Sequence, residues 1–154
     1  MATHPSCGLY RTTLALDQLP AGRLVYFHNH GEPGPGIYLP STWNLNRAEW
    51  HTHGTTVPSA QWSSTLAPLA PEGLYVVREA FHCCDKKCTR FVEDQLVQLG
   101  YDGDAVPILF TPEWSDRGLG FPATGTRLDH DRVQKLMLLK VARGAASPKD
   151  TMTH

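Results

Sequence analysis

The chain has 154 residues, 14 of them Lys or Arg and 15 Asp or Glu, so its net charge is −1. A hydrophobic content of 41% with so little net charge excludes a wholly disordered chain. The lack of a basic excess argues against a nucleic-acid-binding protein. Thirteen Gly and twelve Pro residues interrupt the chain too often for long helices, and they favour short strands joined by turns.

The N-terminal residues 1–20 lack the basic start and apolar core of a secretory signal. No apolar run in the chain reaches the ~18 residues needed to span a membrane. We therefore expect a cytoplasmic protein with reduced cysteines and no membrane partner.

An internal repeat organises the sequence. Residues Leu24–Pro40 align without a gap on Leu96–Pro112. Five aligned pairs are identical: Leu24/Leu96, Val25/Val97, Gly31/Gly103, Pro35/Pro107 and Pro40/Pro112. Further along, Gly54-Thr55 matches Gly125-Thr126, and Leu74–Ala80 resembles Leu136–Ala142. Because self-similarity of this kind marks repeated structural units, two related modules are predicted.

The repeat predicts how the chain divides into modules. The sequence separation between Leu74–Ala80 and Leu136–Ala142 is smaller than that between the earlier matched segments. This difference implies that the first module contains an insertion. The predicted divisions are a flexible N-terminus at 1–8, a first β module at 9–82 with an insertion at 58–71, a Cys-rich junction at 83–90, a second β module at 91–143, and a flexible tail at 144–154.

Short strands between Gly and Pro turns predict an all-β protein. Either two tandem SH3-like barrels or one sandwich of two homologous halves fits the repeat, and such small units should pack together because each alone buries little apolar surface. Residues 129–141 suit a strand or a helix, and resemblance to the β-prone segment 74–80 favours a strand.

Histidines concentrate in the first module. His28 and His30 lie two apart on a predicted strand, so both face one side, and His51 and His53 repeat this spacing. Imidazole is the commonest metal ligand. The four histidines could therefore hold Zn or another divalent transition metal, with Glu32 as an additional carboxylate, or they could be surface residues beside a turn.

The same segment resembles a known metal-binding motif. Gly22 followed by His28-Asn29-His30 and then Glu32 is similar to the first motif of the cupin barrels. The resemblance implies a metal held by two such histidines, a glutamate and a later histidine. Glu32 follows His30 more closely than in that family, and the second cupin motif is not evident, so the resemblance does not assign the family.

A cysteine run is the second candidate for metal binding. Cys84 and Cys88 have a spacing found in structural zinc sites, and Cys83 and His82 adjoin them. A second cysteine pair is lacking, so the remaining ligand would be His82, Cys7 or a distant histidine. Inert reduced thiols in a turn are the alternative, and the C-x-x-C pattern of redox proteins is absent.

Tryptophans are the third candidate. Trp43, Trp50 and Trp62 fall in irregular parts of the first module, and aromatic residues at loop ends are enriched in protein interfaces. Core packing is the alternative for Trp43 and Trp50. Trp114 and Phe121 are expected to close the core of the second module.

No nucleophile motif or phosphate-binding glycine loop occurs in the sequence, so an enzyme is not favoured. The leading hypothesis is a non-catalytic binding or assembly module that recognises a protein partner, or its own copies, through the Trp-rich loops. The alternative is a metal-dependent enzyme or metal-binding protein that uses the histidines.

Overall fold

The computed structural model describes residues 3–31 and 34–140. Short strands dominate it, and the prediction of an all-β protein is confirmed. The strands are β1 (Gly8–Arg11), β2 (Leu24–His28), β3 (Gly36–Tyr38), β4 (Pro40–Asn44), β5 (Arg47–Trp50), β6 (Thr55–Thr56), β7 (Ala67–Pro68), β8 (Gly73–Val77), β9 (Phe81–His82), β10 (Arg90–Phe91), β11 (Leu96–Tyr101), β12 (Pro107–Phe110), β13 (Glu113–Ser115), β14 (Gly118–Gly120), β15 (Thr126–Arg127) and β16 (Leu136–Leu138). The helical segments are α1 (Ala60–Ser63) and a 3₁₀ helix (His130–Lys135). No helix in these ranges is long and apolar enough to cross a membrane.

Two antiparallel five-stranded sheets form the frame of the molecule. The first has the order β6-β3-β2-β1-β7 and the second β15-β12-β11-β8-β16. In each sheet the first three strands in chain order are adjacent: β1, β2 and β3 in the first sheet, and β8, β11 and β12 in the second. An extra hairpin (β4–β5 or β13–β14) follows the third of these strands. A helical turn precedes the last strand of each sheet, β7 or β16. Within the described residues the strand pairing closes neither sheet into a barrel.

The strand pairing does not follow the module boundaries expected from the sequence. Segment 74–80 begins within β8, which pairs with both β11 and β16 and therefore belongs to the second sheet. Aligning this segment with 136–142 as two copies of one closing strand was wrong, because β8 and β16 are partners in a single sheet. The boundary at 82/83 and the junction at 83–90 fall in the β9–β10 hairpin, whose Phe81, Cys83 and Phe91 share an apolar core with Val77 of β8.

The supposed insertion at 58–71 is not an added loop. It contains α1 and β7, and β7 forms the edge of the first sheet beside β1. The 3₁₀ helix and β16 occupy the same place in the second sheet. Segment 129–141 therefore combines a helical turn with a short strand over its described part.

Contacts also hold residues 4–6, which lie in the N-terminal segment predicted to be flexible. The Tyr10 hydroxyl donates to the Ser6 carbonyl at 2.7 Å, and the Asn29 side-chain amide donates to the Pro5 carbonyl at 3.1 Å. His4 Nδ1 lies 2.7 Å from the Ser63 hydroxyl of α1. The predicted tail at 144–154 lies outside the described residues.

The apolar side chains form two cores. The smaller lies within the first sheet and the larger within the second. Leu24, the first residue of β2, is fully buried in the larger core, and the part-buried Leu9, Trp50 and Leu69 of the first unit pack against it. The two sheets therefore contact each other through apolar side chains.

The β4–β5 hairpin lies against the outer face of β11. The Asn46 amide nitrogen donates to Gln98 Oε1 at 3.0 Å, and Gln98 Nε2 donates to the Leu45 carbonyl at 3.0 Å. The Trp43 indole donates to the Tyr101 carbonyl at 2.8 Å. Leu45 and Asn46 both have positive φ, as a two-residue type I′ turn requires.

Candidate metal centre

Strand pairing brings Cys7 beside two of the predicted histidines. Gly8 on β1 pairs with Phe27 on β2, so Cys7, one residue earlier, lies next to His28 at the end of β2. His30 follows two residues later, where the chain leaves the strand. The junction between the N-terminal segment and β2 thus gathers one thiol and two imidazoles.

The three side chains are close enough to hold one ion. Their ligand atoms, one from each residue, all lie within 4.8 Å of one another. Cys7 Sγ lies 3.5 Å from His30 Nδ1, and the two imidazole centroids are 4.1 Å apart. Among the described residues this is the only group of three or more His, Cys, Asp or Glu side chains with such spacing.

The backbone supports the sulfur. The amide N–H of Asn29 donates to Cys7 Sγ at 3.2 Å. Hydrogen bonds of this kind orient a ligating thiolate and stabilise its negative charge. Cys7 and His28 are part-buried and His30 is exposed, so solvent reaches one side of the cluster.

The other two predicted histidines do not join this cluster. His51 and His53 are exposed in the loop between β5 and β6. The structure therefore combines half of the predicted histidine set with a cysteine from the N-terminal segment. Glu32, the predicted carboxylate ligand, lies outside the described residues.

A cleft of about 490 Å³ is lined by residues that include Cys7, Tyr26, Trp50 and Glu72. The Tyr26 and Trp50 rings contact each other at a centroid separation of 5.7 Å. This volume is in the range of small-molecule sites, roughly 300–1,000 Å³.

A carboxylate also lines this cleft. Glu72 Oε2 accepts the Ala48 amide N–H at 3.0 Å. Burial raises the pKa of Glu72, and the hydrogen bond from Ala48 and the positive charge of Arg47 partly oppose that rise. The cleft is thus lined by one member of the metal-ligating cluster, Cys7, and by a part-buried carboxylate.

The cysteine run forms the loop of the β9–β10 hairpin. Cys83 Sγ and Cys84 Sγ are 3.6 Å apart, Cys83 is buried in the second core, and Cys88 is exposed. These cysteines and His82 do not form a ligand group of the kind found at Cys7. Of the two regions predicted to bind metal, the histidine region therefore brings three ligand side chains together and the cysteine run does not.

The predicted partner-binding tryptophans lie at internal contacts. Trp62, on α1, is 9% exposed in the first core, and its indole N–H donates to the Ala15 carbonyl. Trp50 packs on Tyr26 and on the second core, and Trp43 joins the hairpin to β11. Trp114, which we expected in the second core, is instead 81% exposed on β13.

Sequence reasoning missed Cys7 as a partner of His28 and His30. The signal that could have found it is the run Gly8-Leu9-Tyr10, which repeats as Gly73-Leu74-Tyr75. That match would have identified β1 as a strand preceding β2. An antiparallel pairing of β1 and β2 then places Cys7 near the end of β2.

No protein-family model matches the chain, and neither curated proteins nor solved structures gave a match.

Proposed function

We propose that this chain is a metal-binding protein that holds one divalent transition ion, Zn²⁺ in the first instance, through Cys7, His28 and His30. The observation that carries the proposal is the convergence of three ligand atoms within 4.8 Å. A thiolate with two imidazoles is a donor set that suits Zn²⁺, which binds Cys and His readily.

The observed spacing supports a tetrahedral ion. Zn–S bonds of about 2.3 Å and Zn–N bonds of about 2.0 Å place sulfur and nitrogen ligands about 3.5 Å apart in a tetrahedron. Cys7 Sγ and His30 Nδ1 have that separation, 3.5 Å. A thiolate–imidazole pair acting as a nucleophile would need only one histidine, so the second imidazole favours metal binding.

Three protein ligands leave one position of a tetrahedral Zn²⁺ open, as in catalytic rather than structural zinc sites. Cys7 and Glu72 both line the cleft, so a water or a small ligand in that position would be reachable from it. When bound, the metal would supply a Lewis acid beside the cleft. A cytoplasmic location, which we expect from the cysteine content, would keep Cys7 reduced.

Co²⁺ titration of the metal-free protein tests the proposal. Wild type should bind about one equivalent and develop a thiolate-to-cobalt absorption band, because Co²⁺ occupies zinc-type sites with similar ligands. The variants Cys7→Ser and His30→Ala should lose the band. The controls His53→Ala and Cys88→Ser should retain it, since neither residue belongs to the cluster. A wild-type protein without the band, or a band lost only in the controls, would overturn the proposal.

We further propose that each five-stranded sheet is the core of one SH3-like unit and that the two units descend from one ancestor. The common strand order supports this, as do the paired positions of the extra hairpin and the helical turn. Tyr10 and Tyr75 also correspond, since each hydroxyl donates at 2.7 Å to the carbonyl four residues earlier. The division that fits these contacts falls near residue 71, between β7 and β8.

Partner recognition is a second candidate function, and a different tryptophan supports it. Trp114 and Leu119 face each other across the β13–β14 hairpin and are 81% and 48% exposed. Trp43 holds the corresponding place in the β4–β5 hairpin, where it is engaged with β11. The second hairpin is therefore the better candidate for contact with a protein partner or with another copy of the chain.

The double variant Trp114→Ser/Leu119→Ser should keep the stability of the wild type, because both side chains are largely solvated, and should lose partners captured by wild type. Leu45→Ser, at the exposed tip of the other hairpin, is the matched control. Affinity capture followed by mass spectrometry measures the difference. Recovery of the same partners by the double variant would exclude this hairpin as the binding surface.

A further inference from the structure

The β9–β10 hairpin carries a thiol pair that the proposed metal centre does not use. Its loop turns tightly after Cys84, where the Lys87 amide N–H donates to the Cys84 carbonyl at 2.9 Å and Lys87 adopts a positive φ of 57°. His82 pairs with Arg90 across the hairpin, and the Cys83 N–H donates to the Thr89 carbonyl at 2.9 Å, so the next pair in this register places Cys88 across from Cys84. Residues directly opposite in an antiparallel pair have Cα atoms roughly 4.5–5.5 Å apart, which is within the span of a disulfide. Cys84 is part-buried and Cys88 is exposed.

Hydrogen bonds make the two thiols unequal. The pKa of Cys84 is lowered, first by the backbone N–H of Cys88, then by the Cys83 side chain and the backbone N–H of Lys86. The pKa of Cys88 is raised, chiefly because its thiol is hydrogen-bonded to Cys84. Cys84 is therefore the more acidic of the two thiols, as is typical of a nucleophilic cysteine beside a resolving one.

The ends of the loop are fixed to the body of the protein. Arg132 Nε donates to the His82 carbonyl at 2.9 Å, and Arg132 Nη2 donates to Asp85 at 2.8 Å. Cys83 is buried in the second core, and its sulfur accepts the Thr89 amide N–H at 3.3 Å. Chemistry at Cys84 and Cys88 can therefore proceed on an anchored hairpin without unfolding the second core.

We propose that Cys84 and Cys88 form a reversible disulfide, with a low-molecular-weight disulfide such as oxidised glutathione as the oxidant. This inference goes beyond metal binding at Cys7 and does not depend on it. Cys83 has the wrong position for this role, because it is buried and adjacent to Cys84, so that bridging the two would strain the backbone.

The chemistry balances in two exchange steps. The Cys84 thiolate attacks one sulfur of oxidised glutathione, whose S–S bond breaks and releases one glutathione thiolate. That thiolate takes up the proton of the Cys88 thiol. Cys88 sulfur then attacks the Cys84 sulfur of the mixed disulfide and displaces the second glutathione, which leaves as a thiolate and is protonated by water. Two protein thiols are oxidised and one oxidised glutathione is reduced to two thiols.

Exposure of the full chain to oxidised glutathione at pH 7, followed by alkylation and peptide mass spectrometry, tests the inference. Wild type should yield a peptide linked between Cys84 and Cys88, and a reductant should reverse the link. Cys88→Ser should stop at a glutathione adduct on Cys84. Cys84→Ser should react at Cys88 about tenfold more slowly, because the more acidic thiol is gone.

Cys7→Ser is the control and should form the same link as wild type, which separates this result from any failure of the metal proposal. Circular dichroism of each variant checks that the fold persists. Any of three results would overturn the inference. These are a disulfide between Cys83 and Cys84, a stable glutathione adduct on Cys88 in wild type, and alkylation of both Cys84 and Cys88 after oxidation.

Discussion

Replacing Gly125 with alanine is expected to destabilise the protein by about 1–3 kcal/mol, because the added methyl group has no room. A Cβ at this position would lie 2.6 Å from the Leu109 carbonyl oxygen and 2.7 Å from Ile108 Cγ2. The carbonyl belongs to β12, which pairs with β15 directly after Gly125. Relief of the clash would therefore require the edge strand to move away from its partner.

Gly54 should respond to the same substitution in the same way. Its Cβ would lie 2.5 Å from the Ile37 carbonyl and 2.8 Å from the Tyr38 ring. Gly120→Ala is the matched control, since nothing lies within 4 Å of its added Cβ. Urea denaturation of the three variants measures the effect. If Gly125→Ala and Gly120→Ala were equally stable, the close approach of β12 to the segment before β15 would be disproved.

These glycines show why part of the fold could be read from the sequence. Gly54-Thr55 and Gly125-Thr126 match because each glycine lets a short edge strand approach the carbonyl of its neighbour. The aligned segments 24–40 and 96–112 likewise correspond to β2–β3 and β11–β12. Local turn chemistry and short-range hydrophobic pattern were sufficient to predict these strands and the all-β class.

Long-range pairing was beyond the reach of sequence pattern. Segment 74–80 has the composition of any half-buried strand, so its likeness to 136–142 could not show that the two regions pair with each other. The metal cluster could not be predicted from the sequence for the same reason. Cys7 and His28 are separated by a loop, and only the register of β1 on β2 brings them together.

Tryptophan positions were equally ambiguous from sequence. A large apolar side chain in a loop can pack inward or face solvent, and the deciding factor is which element crosses above it. The first hairpin lies on β11, so Trp43 is engaged, whereas no described segment hydrogen-bonds to the Trp114 indole. The sequence predicted the reverse, with Trp43 in a partner-binding loop and Trp114 in the core of the second module.

Replacing Leu24 with alanine is expected to lower the free energy of unfolding by about 2–5 kcal/mol. Leu24 begins β2 of the first sheet, yet its fully buried side chain lies in the core of the second unit. Its backbone N–H also donates to the Gly103 carbonyl at 3.0 Å, which ties the two units together at this point. The cavity would therefore weaken the junction between the units as well as the second core.

Unfolding of Leu24→Ala followed by tryptophan fluorescence and far-UV circular dichroism tests whether the units unfold together. Three of the four tryptophans belong to the first unit, so fluorescence reports mainly on it, while circular dichroism reports on both sheets. Both probes should shift equally to lower denaturant, because a shared core couples the two sheets. Leu14→Ala, at a side chain 51% exposed, should leave the midpoint close to that of wild type. The opposite result would be an unchanged fluorescence transition together with a circular dichroism transition that splits in two. It would mean that the first unit is stable without its neighbour, and that burial of Leu24 contributes little to joining the units.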